Sequence, residues 1–349
     1  MKILITGGAG MVGSHAAEYF AAKNNKVYVY DSLIRSQIFG SKHPSVEYNW
    51  NYLKKIKNIT LLRKDIRDKK SLKEVFKKNR FEAIIHTAGQ PGVRFSLKRP
   101  DEDFQINCLG TVNVLEAVRH YCPQAAFIYC SSNKVYGNNI NKYKVKQQKT
   151  RYSFAEIKGI SESEPIDLTG HTPYGVSKLA GDLYVQDYAY SYRMKTAVFR
   201  MSCIYGPRQF GFEDQGWLSW FSLRFLKGKP ITIFGDGKQV RDVLWVEDLI
   251  SAFDKFIQSK LQSEVFNIGG GPTRTLSLLE LVFLLEKLTN KKVKIIYEPW
   301  RKFDQKVYVS LIEKAKKFLG WIPLIEVDSG LSRLVSWMKT NINLFAGRK

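Results

Sequence analysis

Residues 2–31 constrain the fold more than any other stretch of this chain. Lys2-Ile-Leu-Ile-Thr6 is a short apolar run with the character of a buried strand. It enters Thr6-Gly-Gly-Ala-Gly10-Met-Val-Gly13, after which the pattern predicts a helix through residue 23. Gly7, Gly10 and Gly13 fall at GxxGxxG spacing. In such a unit the first glycine allows a tight turn, the second lets backbone approach a pyrophosphate, and the third lets helix pack on strand. The helix N-terminus adds unpaired N–H groups and the positive end of its dipole. Lys26-Val-Tyr-Val-Tyr30 reads as the second strand. It ends at Asp31, about 20 residues past the glycines, where a carboxylate would hold the adenosine ribose hydroxyls of a dinucleotide. That acid favours NAD over NADP, because a 2′-phosphate would meet like charge. Arg35 close by argues the other way.

Further strand-like runs follow at Thr60–Arg63, Glu82–His86, Ala126–Cys130 and Thr196–Arg200. Helical stretches lie between them near 69–79, 101–121, 174–192 and 216–227. Alternation of this kind predicts an α/β fold: a Rossmann-type doubly wound parallel sheet covered on both faces. Ligands of such sheets bind beyond the strand C-termini. Gly7, Asp31, Asp65, Thr87–Gln90 and Ser131–Ser132 all fall there. Beyond Arg200 the pattern loosens into glycine-rich loops, a helix over 276–289, a loop over 298–309 and a helix pair over 310–339 broken at Trp321-Ile-Pro323. The reading is a nucleotide-binding domain over 1–200, with an insertion at 138–172, and a smaller mixed α/β lobe over 201–349 interleaved with it.

The chemistry is carried by Tyr174-Gly-Val-Ser-Lys178. On a helix, Tyr174 and Lys178 share one face a turn apart. A phenol with pKa near 10 is a poor base at neutral pH. An ammonium beside it favours the phenolate. A hydroxyl at Ser132, in Ser-Ser-Asn-Lys-Val-Tyr-Gly, could hold the substrate oxygen whose proton the tyrosine takes. With a hydride acceptor, these groups interconvert alcohol and ketone without a metal.

The 349 residues suffice for a large core, and the apolar runs are far short of a membrane span. The N-terminus reads as a strand rather than a signal peptide. Cys108, Cys122, Cys130 and Cys203 form no CxxC or metal spacing, and His15 and His86 have no ligand partners in sequence. No metal is expected, and a reduced cytoplasm is the default. The net charge of +23 is spread over 51–80, 143–158 and 286–317, without interleaved aromatics. It reads as a solvated surface suited to an anionic substrate, not as a nucleic-acid or membrane interface.

The chain resembles the extended short-chain dehydrogenase/reductase family, the NAD-dependent nucleotide-sugar epimerases and dehydratases. The resemblance spans nearly the whole length. Beyond the glycine turn and YGVSK at 174–178, it includes Asp65-Ile66, His86-Thr-Ala-Gly-Gln90, Asn107 with Gly110-Thr111, SSNKVYG at 131–137, YGPRQ at 205–209, GDGKQVRDVLWVEDL at 235–249 and FNIGG at 266–270. Within the family it looks most like the branch of CDP-sugar 2-epimerases. That branch is suggested by Ser-Asn-Lys-Val-Tyr-Gly, by the 42-residue gap between Ser132 and Tyr174 with Thr150-Arg151-Tyr152 inside it, and by Arg208-Gln-Phe … Asp214-Gln-Gly-Trp217.

The resemblance implies NAD, tightly bound and regenerated in each turnover, and a nucleotide-diphosphate sugar inverted at C2. Inversion at C4 of a UDP-sugar is the alternative, since Gln90-Pro-Gly-Val-Arg94-Phe-Ser96 resembles UDP-glucuronate 4-epimerases. A non-catalytic relative that senses NAD or binds RNA is the reading of another class. By resemblance Tyr174 is the acid/base, Lys178 lowers its pKa and binds the nicotinamide ribose, and Ser132 holds the substrate hydroxyl. Gly7, Gly10, Met11, Val12 and Asp31 should bind pyrophosphate and adenosine ribose. Asp65 and Ile66 should flank adenine, although Asp65 could equally cap a helix. Thr87, Ala88 and Gln90 should pass the cofactor, with Gln90 also able to reach the sugar. Asn107 is expected to stabilise backbone. Arg241 and Arg301 are the expected diphosphate ligands, each also a plausible ion-pair partner of Asp242 or Asp304. Asn133, Arg208, Gln209, Gln215 and Trp217 are expected around the sugar and base. Dehydratases carry Asp-Glu where this chain has Asn133-Lys134, which argues against dehydration. Relatives assemble through helices on one sheet face, so a homodimer or homotetramer is expected through 101–121 and 174–192.

Overall fold

A computed structural model describes residues 1–35 and 45–345. The apolar runs become one parallel sheet: β1 (Lys2–Thr6), β2 (Lys26–Asp31), β3 (Ile59–Arg63), β4 (Ala83–His86), β5 (Ala126–Ser132) and β6 (Thr196–Met201). A seventh strand, β7 (Ser263–Ile268), pairs with β6 in parallel. The spatial order is β3-β2-β1-β4-β5-β6-β7. Strand order reverses between β1 and β4, the switch point where a doubly wound sheet opens a ligand crevice.

The sheet is dry on both faces. Ile3 and Ile5 of β1 pack into one core with Phe20, Phe253 and Phe266. Leu4 packs into the opposite core with Val114, Val118 and Phe127. Each fully buried phenylalanine stabilises the fold by about 1.5–3 kcal/mol. Burial on both faces is why these strands read as continuous apolar runs.

The helix expected over 101–121 is broken into Pro100–Phe104, a π-helical turn Gln105–Leu109, and Gly110–Tyr121. Asn107 sits in that turn and Gly110 follows it. A Cβ on Gly110 would lie 2.5 Å from Ile66 Cδ1, so this close crossing requires glycine.

Beyond Met201, Val240–Trp245 pairs in parallel with Cys203–Tyr205 and Val307–Tyr308, and antiparallel with Thr275–Ser277. Ile231–Phe234 pairs with Ile295–Glu298. The expected loop over 298–309 therefore contains the end of one strand and all of another. Both are too short to give a sequence signal. The expected C-terminal helix pair is Glu313–Leu319 and Val327–Thr340. Between them Trp321 is buried and donates from Nε1 to the Asp248 carbonyl at 2.9 Å.

The division at residue 200 cuts the sequence but not the sheet. β7 and the helix Val246–Gln258 come from the second region and complete the first core. Conversely, the insertion forms a hairpin, Val145–Gln147 with Tyr152–Phe154, that is bonded to the C-terminal lobe. Arg151 pairs with Glu280 at 2.6 Å, and the Tyr152 hydroxyl donates to Asp236 at 2.6 Å. Among the described residues, no helix is long and apolar enough to cross a membrane.

Candidate active site

The turn after β1 is shaped by contacts that exclude side chains. Gly7 has φ of +68°, and a Cβ there would lie 2.5 Å from Ala88 backbone atoms. A Cβ on Gly13 would lie 2.5 Å from the Gly7 carbonyl oxygen. Thr87 locks the turn by donating its hydroxyl to the Thr6 carbonyl at 2.8 Å. The helix Met11–Ala22 starts at Gly10 with no side-chain cap, and Gly10, Met11 and Val12 line a deep cleft. Exposed backbone N–H groups at a helix start fit a pyrophosphate.

Asp31 lines the same cleft. One carboxylate oxygen accepts from Ala9 N at 2.9 Å, the other from Leu33 N at 2.8 Å. Burial pushes this carboxyl up, and those two N–H groups oppose the shift. Each oxygen keeps a lone pair for a ribose hydroxyl. Arg35 also lines the cleft and donates to Gln215 Oε1 at 2.5 Å. Asp65 and Ile66 line the cleft beyond β3, with Asp65 held by Arg67 at 2.7 Å. The cap of the following helix is Asp68, not Asp65. A glycine cradle, an open helix start and a carboxylate at the end of β2 together fit a dinucleotide.

Ser132, Asn133, Tyr174 and Lys178 complete the wall of this cleft. Tyr174 begins the helix Pro173–Tyr192, whose start is fixed three ways. Thr172 caps it by accepting from Gly175 N at 3.2 Å, Pro173 occupies the first turn, and Tyr174 N donates to the Ser96 hydroxyl at 3.0 Å. The i, i+4 spacing brings Tyr174 and Lys178 into one cleft, as read from the sequence.

Their electrostatics differ from the expectation. Burial pushes the Tyr174 phenol up to about 12, and a hydrogen bond with Ser132 pulls it back in part. Burial pulls the Lys178 ammonium down to about 8. Lys178 Nζ donates to the Cys130 carbonyl at 2.5 Å and lies 4.2 Å from the Tyr129 ring centre. The ammonium is thus anchored on β5, and desolvation rather than its charge dominates the phenol.

Several residues expected at the ligands have partners within the protein. Gln90 is buried, and its amide donates to Asp103 at 2.6 Å and to the Gly92 carbonyl at 3.0 Å. Its side chain is thus engaged within the protein, while Thr87, Ala88 and Gln90 all line the cleft. Asn107 holds this segment, accepting from Gln90 N at 2.8 Å and donating to the Gln90 carbonyl at 3.1 Å. Gln209, Gln215 and Trp217 line the cleft.

Arg208, Arg241 and Arg301 do not line it. Arg208 pairs with Glu18 at 2.7 Å and stacks over Tyr52. Arg241 pairs with Asp304 at 2.6 Å, and Asp242 is bonded instead to Ser202 and Gly271. Arg301 lies 3.3 Å from Asp214 and over the Phe234 ring. Each guanidinium here has a carboxylate within reach, a choice that sequence spacing does not resolve. His86, bonded to Thr6 and Thr111, and His15, bonded to the Pro207 carbonyl, are structural.

Sequence reasoning missed Lys134 as a cleft residue, although it stands two positions after Ser132. It also missed Asp103, which takes the Ser177 hydroxyl and orders the helix start. Lys134 lies within SSNKVYG, where the sequence reading uses only its lack of a carboxylate, and Asp103 belongs to no spacing motif.

Comparison with known proteins agrees with this geometry. Residues 3–269 match the NAD dependent epimerase/dehydratase family. The chain is 39% identical over 345 residues to CDP-paratose 2-epimerase from Salmonella typhi, covering 97% of this chain and 99% of that one. It superposes on the crystal structure of UDP-glucose 4-epimerase with UDP-glucose from Thermotoga maritima with a TM-score of 0.83, at 29% identity, covering 98% of this chain and 100% of that one. It also superposes on UDP-glucuronic acid 4-epimerase from Bacillus cereus in complex with UDP-glucuronic acid and NAD, with a TM-score of 0.80, at 28% identity, covering 98% and 100%. The match over residues 3–269 and the near-full-length likeness decide the family: this chain belongs to the NAD dependent epimerase/dehydratase family, and NAD is its cofactor.

Proposed function

We propose that this protein inverts C2 of a nucleotide-diphosphate hexose, as a CDP-paratose 2-epimerase-like isomerase. The observation that carries the reading is the meeting of Ser132, Tyr174 and Lys178 with the glycine turn and Asp31 in one cleft. NAD, when bound, supplies the hydride acceptor and returns the hydride. Gly7, Gly10, Met11, Val12 and Asp31 would hold it, with Asp65 and Ile66 toward the adenine. Ser132 orients the C2 hydroxyl. Tyr174 takes the hydroxyl proton as hydride leaves C2, and Lys178 supplies the positive charge that favours the phenolate during transfer. The flat ketone turns and receives hydride on its opposite face. Tyr174 then returns the proton, so atoms and electrons balance with no net redox change. NAD is regenerated each turn, so tight retention is part of the reading.

Residues 201–349 supply most of the substrate lobe, with Gln209, Gln215 and Trp217 on the cleft wall and Arg241 and Arg301 behind it. The absence of a carboxylate at Asn133-Lys134 separates this site from elimination chemistry. The likeness to CDP-paratose 2-epimerase favours C2 and CDP. The superposition on UDP-sugar 4-epimerases supports a second reading, inversion at C4. We place the enzyme in the cytoplasm, consistent with its four free cysteines, as a homodimer or homotetramer. Phe104, Val176, Leu183 and Tyr184 are exposed on the helices expected to assemble. Light scattering of the eluted protein tests that state, and a monomer would remove it.

The test of function is incubation of purified protein with CDP-, GDP- and UDP-hexoses, followed by proton NMR. Inversion at C2 supports the reading and the best donor names the nucleotide. Inversion at C4 alone moves the protein to the second reading.

A further inference from the structure

Lys134 lines the cleft beside Ser132, two residues from the proposed catalytic hydroxyl. Its backbone N donates to the Ser132 hydroxyl at 3.2 Å. Its carbonyl packs against the first turn of the Tyr174 helix, where a Cβ on Gly175 would lie 2.9 Å away. The backbone at this position is therefore fixed to both Ser132 and the Tyr174 helix. The residue lines the cleft and is half-buried. Among the described residues, no hydrogen bond or ion pair engages its ammonium. The acid that influences it, Asp304, is already bonded to Arg241 at 2.6 Å. Lys178, the buried lysine of the site, instead donates to the Cys130 carbonyl.

A half-buried ammonium with no acid bonded to it is a ready partner for an anion. Burial and the nearby Arg241 pull this ammonium down to about 8, which still leaves it mostly protonated at neutral pH. A cation in this position is balanced when an anion enters the cleft.

The chemistry of the proposed reaction says which anion. In a nucleotide-diphosphate hexose, only C1 and its oxygen separate the sugar-linked phosphorus from C2. Oxidation at C2 therefore brings that phosphate beside the hydroxyl and phenol that do the chemistry. Oxidation at C4 keeps it across the ring. Lys134 offers the cleft a cationic donor of the kind phosphate oxygens take, while the Arg241 guanidinium is bonded to Asp304, Val240 and Gln305 and adds only its nearby charge.

We propose that Lys134 binds the sugar-linked phosphate of the substrate. The proposal rests on the C2 reading for its chemistry, but its test does not require turnover. The NAD-loaded protein is titrated calorimetrically with CDP against CMP, and with UDP against UMP. The terminal phosphate of each diphosphate stands for the sugar-linked one. Lys134→Met should weaken the preferred diphosphate about 10- to 100-fold, leave the monophosphate unchanged and leave the NAD content unchanged. Lys134→Arg, which keeps the charge, should restore most of the preference. A Lys134→Met protein that keeps the parent's diphosphate-to-monophosphate ratio overturns the assignment. C4 inversion by the parent protein would sink the C2 reading alone, since the binding ratio decides the phosphate contact independently.

Discussion

Asp182 and Arg200 form a buried ion pair, Oδ2 to Nε at 2.9 Å, that ties the Tyr174 and Lys178 helix to β6. The same carboxylate accepts from the Ser131 hydroxyl at 2.8 Å, next to Ser132 on β5. Arg200 also lies over the Tyr136 ring. One carboxylate thus holds the two elements that carry the proposed chemistry in register. Asp182→Ala would strand a guanidinium in the core and should cost about 3–5 kcal/mol. Urea unfolding reads this directly; an unchanged midpoint would contradict the role.

Removing the Tyr174 hydroxyl should remove turnover and spare the cofactor. Tyr174→Phe is expected to lower kcat by at least about 10²–10⁴-fold. Bound NAD, measured after acid release, should match the parent. Near-normal activity would place the acid/base elsewhere.

Lys178 is expected to trade stability for function. Its ammonium falls from 10.5 to about 8 through burial. Below pH 8 the folded protein carries the full cost of that buried charge. Between pH 8 and 10.5 the unfolded chain holds the proton that the folded chain sheds, so this group makes stability rise with pH. Lys178→Met should therefore be inactive yet more stable at pH 7, by up to roughly 3 kcal/mol at about 1.4 kcal/mol per pH unit. The gap should close toward pH 10.5. Tyr174, pushed up to about 12, acts in the opposite sense and only above pH 10, where the unfolded phenol ionises first. A Met variant less stable than the parent at pH 7 would mean that the Cys130 bond outweighs desolvation.

Gly7→Ala should disable the cofactor cradle. The substitution meets both a left-handed backbone and the Ala88 backbone at 2.5 Å. It should cost about 1–3 kcal/mol from strain alone, and more from the clash. The purified variant should carry little NAD. Full NAD content and unchanged stability would show that the turn adapts.

The sheet was legible in the sequence because burial on both faces leaves uninterrupted apolar strands, and Gly7 to Asp31 form a local unit with fixed spacing. Tyr174 and Lys178 were legible because helix periodicity alone puts them on one face. The fates of Gln90, Asp65 and the three arginines were not. Each can bond several partners, and tertiary packing chooses among them: Asp103 for Gln90, Arg67 for Asp65, Glu18, Asp304 and Asp214 for the arginines. β7 was missed because Ser263-Glu-Val-Phe-Asn-Ile268 has few apolar residues and follows a region of looser pattern. The π turn at Gln105–Leu109 has no local sequence signal, and Asn107 within it bonds to Gln90 seventeen positions earlier.

The central claim is that one hydride leaves C2 and returns to it within the same protein. The direct test is the best CDP-hexose donor incubated with purified protein, without added NAD, in deuterated water and followed by proton NMR. The account predicts inversion at C2 with no deuterium at that carbon. Deuterium uptake at C2, or inversion confined to C4, would contradict it.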